Sequence, residues 1–183
     1  MSDRLAWLAD RQEILDCLTR FCRGMDRFDR DLFLSAFHPH AEIAAGPFVG
    51  SPADCWDWAV PMHEAAQPMT QHLLLNHSVE IVGDEAHSET YYQFIARNHP
   101  FTADGGETVM QAGGRYIDRL ERGADGWRIA LRINLIEWNC LQPSLPLPFG
   151  EIADAALNGI AARDRSDPGY ARPLVNRRPH QRP

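Results

Sequence analysis

Apolar residues recur every three or four positions between residues 3 and 29. Leu5, Leu8, Ile14, Leu15, Leu18, Phe21, Cys22 and Met25 supply one face of a long amphipathic helix. One position breaks that face. Asp26 lies four residues after Cys22 and eight after Leu18, so it shares their stripe. A carboxylate among core-facing residues is costly unless something pairs with it. Asp31–Phe37 reads as a second, short helix, with Asp29 placed to cap it and Pro39 to stop it. Ala41–Ala45 is then a short strand and Gly46–Gly50 a turn. Ser51 with Pro52 opens a third helix that runs to about Ala65.

From residue 70 the pattern becomes strand-like. Thr70–Val82, His87–Asn98, Glu107–Glu121 and Trp127–Asn139 form four long segments, separated by short connections rich in Gly and Asp. Helices followed by a four-strand antiparallel meander predict the α+β class, with the long N-terminal helix and two shorter ones covering a curved sheet. Such a sheet closed by helices leaves a conical cavity suited to a small molecule. After Cys140 the composition shifts. Gln142–Gly150 is too rich in Pro for regular structure, Glu151–Arg163 has the pattern of a last helix, and the Pro- and Arg-rich stretch from Ser166 reads as an extended arm, partly disordered or packed on another subunit. The expected organisation is one domain over residues 1–140 and an extension over 141–183.

Composition narrows the function. With 183 residues, 44% hydrophobic and 23% charged, the chain has enough apolar material for one core. A net charge of -7 argues against nucleic acid as the main partner. No apolar run reaches membrane-spanning length, and the charged N-terminus is not a secretory signal. Cys17, Cys22, Cys55 and Cys140 form no CxxC pair, so a reduced, cytoplasmic setting is expected. There is no GxSxG, Walker or dinucleotide fingerprint, and no cofactor is expected.

The candidate partner for Asp26 is His72. Strand alternation puts Leu73, Leu75, His77, Val79 and Ile81 on one face, taken as core, and His72, Leu74, Asn76 and Ser78 on the other. An Asp–His pair would fix the imidazole tautomer and raise the basicity of the free nitrogen. Arg23 and Arg30, three residues before and four after Asp26, offer a plain helical ion pair instead. On the last strand Trp127, Ile129, Leu131 and Ile133 share one face, and Arg128, Ala130, Arg132 and Asn134 the other. Arg132 could stabilise a developing anion or simply be solvated. Tyr92, Tyr116, Phe48, Trp56, Trp58, Phe94 and Asn134 are candidates for a pocket wall, although core packing accounts equally for the aromatics. His38-Pro39-His40 lacks a third ligand at useful spacing, and His72 and His77 point to opposite faces of a regular strand, so no metal site is expected. Gly113-Gly114 marks a bulge or bend inside a strand pattern.

Phe21–Asp29, Phe37–Ala41, Thr70–His72, Gly114–Asp118 and Asp125–Ile129 occur in an order that resembles SnoaL-like proteins of the nuclear-transport-factor-2-like superfamily, over roughly residues 5–140. Asp167–Leu174 is also similar to tails found in that group. The resemblance implies a cone fold. The motifs are most similar to those of bile-acid 7α-dehydratase, hexachlorocyclohexane dehydrochlorinase and scytalone dehydratase. It therefore also implies cofactor-independent elimination from a small hydrophobic cyclic or aromatic substrate. By position it gives His72 the role of base, Asp26 that of orienting it, and Arg132 that of assisting the leaving group. Phe21 stands where the bile-acid enzyme has a Tyr, so a hydroxyl at that position is lost. Aryl C–C cleavage with release of a small aldehyde, or proton-transfer isomerisation, would use the same pair. The reading from another class is a non-catalytic binding module or a structural subunit like the small subunits of ring-hydroxylating dioxygenases. The resemblance also implies a homodimer or homotrimer, which sedimentation would identify.

Overall fold

A computed structural model describes residues 2–101, 105–144, 159–176 and 178. Three helices, α1 (Ser2–Arg27), α2 (Arg30–Leu34) and α3 (Pro52–Ala66), accompany six strands. The strands are β1 (Phe37–Ala45), β2 (Phe48–Gly50), β3 (Met69–Val82), β4 (Glu85–Asn98), β5 (Thr108–Gly123) and β6 (Gly126–Pro143). They form one sheet in the order β2-β1-β6-β5-β4-β3. The long pairings are antiparallel hairpins, while β1 runs parallel to β6. The α+β architecture with a long covering helix is thus the expected one. No helix among the described residues is long and apolar enough to cross a membrane.

Several boundaries differ from the expectation. The meander is extended to six strands, because β1 and β2 join the sheet through β6. Asp29 does cap α2, its carboxylate accepting from the Leu32 amide at 3.2 Å. However, α2 ends at Leu34, and Pro39 sits inside β1 rather than stopping the helix. The β1–β6 register is broken between Phe37 and Glu42, which accommodates a residue with no N–H to give. Phe48–Gly50 is a short strand, not part of a turn. Strand β6 continues to Pro143, paired with Thr108, so the sheet crosses residue 140. Of the helix expected at Glu151–Arg163, residues 151–158 lie outside the described residues, and 159–163 are irregular.

Bulges set which side chains face the helices. In β3 the register shifts between Leu74 and His77, so Leu75 and Asn76 together oppose Tyr91. One extra residue flips the alternation. Leu74, Val79 and Ile81 pack against the core, while Leu73 and Leu75, expected inside, are exposed. A second shift, between Arg119 and Leu120, makes Ala130 the extra residue of β6. Trp127 and Ile129 before it, and Arg132 after it, are all buried, while Ile133 is exposed. A third lies at Gly113 and Gly114. A Cβ on Gly114 would stand 1.8 Å from the Leu135 carbonyl oxygen, so this bend admits only glycine.

Helix α1 is fixed at both ends. Asp10 accepts from the Trp127 indole at 3.0 Å and from two nitrogens of Arg122 at 2.9 and 3.1 Å. At the other end Phe28 turns left-handed at φ 50 and the Asp29 amide donates to the Gly24 carbonyl at 2.9 Å, a Schellman-type close. The C-terminal segment packs back on this end of its own chain. Arg163 donates to the carbonyls of Met25, Asp26 and Gln67 at 3.0, 3.2 and 2.9 Å, satisfying acceptors that a helix end leaves free. Tyr170 donates to Asp29 at 2.9 Å. These contacts hold Asp26 in the last turn of α1, beside the start of β3.

Candidate functional site

Asp26 leans from α1 onto β3. Its Oδ2 accepts from the His72 backbone amide at 2.9 Å, and its Oδ1 accepts from the Thr70 hydroxyl at 2.9 Å and from His72 Nδ1 at 2.7 Å. Burial pushes the Asp26 pKa up. The hydrogen bonds from His72 and Thr70 outweigh that and hold it below the usual carboxylate range. An ionised carboxylate only accepts, so Nδ1 of His72 carries its proton and Nε2 is the free nitrogen. Neither Arg23 nor Arg30 pairs with Asp26. Arg23 donates to the Gly169 carbonyl and lies over the Tyr170 ring instead.

Arg132 is fully buried. Its Nε and Nη2 donate to the two oxygens of Asp118 at 2.7 and 2.8 Å, a bidentate pair. The guanidinium is sandwiched between the rings of Phe21 and Tyr116, each centroid 4.2 Å away. Its remaining terminal nitrogen, Nη1, has no hydrogen-bond partner among the described residues. Burial would lower the Arg132 pKa, but Asp118 more than reverses this and raises it. The position that lacks a hydroxyl in Phe21 therefore serves as an apolar cover for a cation. Tyr116 stacks on Tyr92 with centroids 4.2 Å apart.

These residues converge on a cavity of about 250 Å³. His72, Arg132, Phe21, Tyr92, Tyr116 and Asn134 all line it, and Asp26 stands behind His72. The rest of the wall is mainly apolar, with Met25, Ile43, Met62, Phe94 and Ile136 contributing. Trp56 is not in the wall: it packs into the core against Phe33, at 5.2 Å, and Trp58 lines the cavity in its place. Burial pushes the Cys55 thiol, also on the wall, up to about 11, which leaves it protonated and a poor nucleophile at neutral pH.

Local pattern reading missed two polar groups here. His63 lines the cavity from α3, its Nδ1 bonded to Gln67 Oε1 at 2.5 Å. Gln67 in turn donates to Asn98 at 3.1 Å, and Asn98 to Thr108 at 3.1 Å. Burial lowers the His63 pKa, which favours the neutral form of this second imidazole facing the pocket. Its signal lay in the spacing of Cys55, Ala59 and His63, which puts all three on one helical face. Asp118 lies between Tyr116 and Leu120 on the inner face of β5, an acid among core residues just as Asp26 is. Two histidine placements also differ from the expected ones. The β3 bulge brings His77 onto the inner side with His72, where its Nδ1 meets the Thr90 hydroxyl at 2.8 Å. Glu121 joins His38 and His40, whose sequence spacing offered no third ligand.

A SnoaL-like domain family matches residues 6–133. Among solved structures, a Kribbella flavida protein is 20% identical, covering 72% of this chain and 93% of its own, with a TM-score of 0.65. A candidate scytalone dehydratase from Novosphingobium aromaticivorans is 16% identical, covering 82% and 99%, with a TM-score of 0.62. A type 2 hexachlorocyclohexane dehydrochlorinase is 18% identical, covering 81% and 98%, with a TM-score of 0.63. What is common at such identities is the fold. No curated protein matches this sequence.

Proposed function

The chain belongs to the SnoaL-like family, and from that premise we propose that it is a cofactor-independent lyase acting on a small hydrophobic cyclic or aromatic substrate. The observation that carries this reading is the Asp26–His72 pair beside an apolar cavity, with Nε2 of His72 free of any hydrogen bond among the described residues. In the elimination, Nε2 takes a proton from the carbon next to the one that bears the leaving group. The C–H electron pair becomes the new double bond, and the leaving group departs with its own bonding pair. Asp26 stays ionised, orients the ring and stabilises the imidazolium that forms. Nη1 of Arg132 is a buried donor at the cavity, suited to a departing anion or an enolate. His63 suits a polar group elsewhere on the substrate. Isomerisation opens with the same proton transfer; in aryl C–C cleavage Nε2 would take a hydroxyl proton instead, the oxygen pair forming the aldehyde carbonyl while the C–C pair passes to the aryl carbon, which the imidazolium reprotonates.

The test is turnover by mass spectrometry of halogenated and hydroxylated cyclohexanes and of aryl diols. The wild type is expected to release hydrogen halide, water or a small aldehyde from a member of the panel. Asp26→Asn is expected to slow that reaction by about 10²–10⁴-fold, since an amide cannot stabilise the imidazolium. Panel compounds that bind without any turnover would favour the non-catalytic binding module.

A further inference from the structure

His38 and His40 open β1 on either side of Pro39, in the stretch where pairing with β6 is irregular. Their rings stand together, centroids 3.9 Å apart. Glu121, near the end of β5, reaches the same place, with its Oε2 at 3.2 Å from His40 Nε2. One ligand atom from each of the three lies within 4.8 Å of the other two. Nδ1 of His38 is buried without a hydrogen-bond partner among the described residues, an uncommon state for a ring nitrogen. A cleft of about 120 Å³, lined in part by His38, Pro39 and Arg128, opens beside it. None of the three residues lines the main cavity.

We propose that His38, His40 and Glu121 hold a divalent transition-metal ion of the zinc type. Two imidazole nitrogens and a carboxylate oxygen are donors that Zn²⁺ and Co²⁺ accept, at about 2.0–2.2 Å. Ligand atoms of a tetrahedral centre at those bond lengths stand roughly 3.3 Å apart, close to the 3.2 Å between His40 and Glu121. Rotation of the His38 ring brings the third donor in, and water completes the shell. Arg119 donates to the other carboxylate oxygen of Glu121, so it fixes that side chain and leaves Oε2 for the ion. Because β6 lies between β1 and β5, the ion ties β1 to the sheet across the intervening strand. The site stands apart from the main cavity.

The experiment uses the untagged full chain, titrated with Co²⁺ by absorption spectroscopy and with Zn²⁺ by calorimetry and thermal melting. One ion per chain is expected, with d–d bands, no thiolate charge-transfer band, and a Zn²⁺-dependent rise in Tm. His40→Ala and Glu121→Gln alter partly exposed side chains, and circular dichroism checks their fold. Each is expected to weaken binding by at least about tenfold and to remove the Tm rise. His87→Ala, at the separate His87–Glu85 pair, is expected to bind like the wild type. Failure of the wild type to bind either ion at millimolar concentration would overturn the site, as would full binding by the His38→Ala/His40→Ala double variant.

Discussion

His72→Ala is expected to lower kcat/KM by about 10²–10⁴-fold while leaving the fold in place. The imidazole supplies the free nitrogen of the Asp26 pair, so its loss removes the base outright. The packing lost is limited, because the ring makes edge or tilted contacts with Phe21 and Phe94, centroids 6.0 and 4.7 Å away. Asp26 is not orphaned in this variant, since the backbone amide at position 72 and the Thr70 hydroxyl still donate to it. The aspartate is the riskier side to delete. Without its carboxylate the Nδ1 proton, the amide and the Thr70 hydroxyl all lose their acceptor, and unsatisfied buried groups are costly. Circular dichroism and melting curves for His72→Ala check that the lost rate is chemical.

Asp118→Ala is expected to destabilise the protein by about 3–5 kcal/mol. Arg132 and Asp118 are both essentially inaccessible to solvent, so removing the acid leaves a guanidinium buried between two aromatic faces without a counter-charge. For a chain of this size such a loss lowers Tm by roughly 6–20 °C. Replacing both partners, as in Arg132→Met with Asp118→Leu, is expected to recover much of that stability, because no unpaired charge remains. The double variant would still lack the Nη1 donor and is expected to be slow. An unchanged Tm in Asp118→Ala would mean that water reaches Arg132 and that the site is wetter than its geometry implies. Differential scanning calorimetry reads both variants.

The long elements were legible because their periodicity is local. Helix α1 and strands β3 to β6 carry their own patterns over 14 or more residues each. Strands β1 and β2 were harder, since β1 is defined by a parallel partner, β6, that lies far along the chain. Bulges caused the errors of face: one extra residue near Leu75 reverses the expected sides before it in β3, and another at Ala130 reverses those beyond it in β6. Regular alternation set Arg132 and Asn134 on the face opposite Trp127 and Ile129, and only the extra residue at Ala130 turns them to the cavity side. Asp26 was conspicuous as an acid on an apolar helical stripe. Asp118 carried the same kind of signal between Tyr116 and Leu120. Glu121 as a neighbour of His38 and His40 depends on tertiary placement that no spacing rule supplies.

The ordered motifs and the family match agree on the SnoaL-like fold, and that fold explains why a helix-end acid and a strand histidine can meet. The chemistry rests on a narrower claim, that Nε2 of His72 removes a proton from carbon. Deuterium uptake by 1-indanone in buffered D₂O tests this without a leaving group. The α-carbon proton is acidic enough to exchange, and Arg132 can meet the enolate oxygen. The wild type is predicted to accelerate deuterium incorporation well above buffer, and His72→Ala to return it to the buffer rate. Exchange in the wild type no faster than buffer, or equal exchange in the two proteins, would contradict the assignment of His72 as the base.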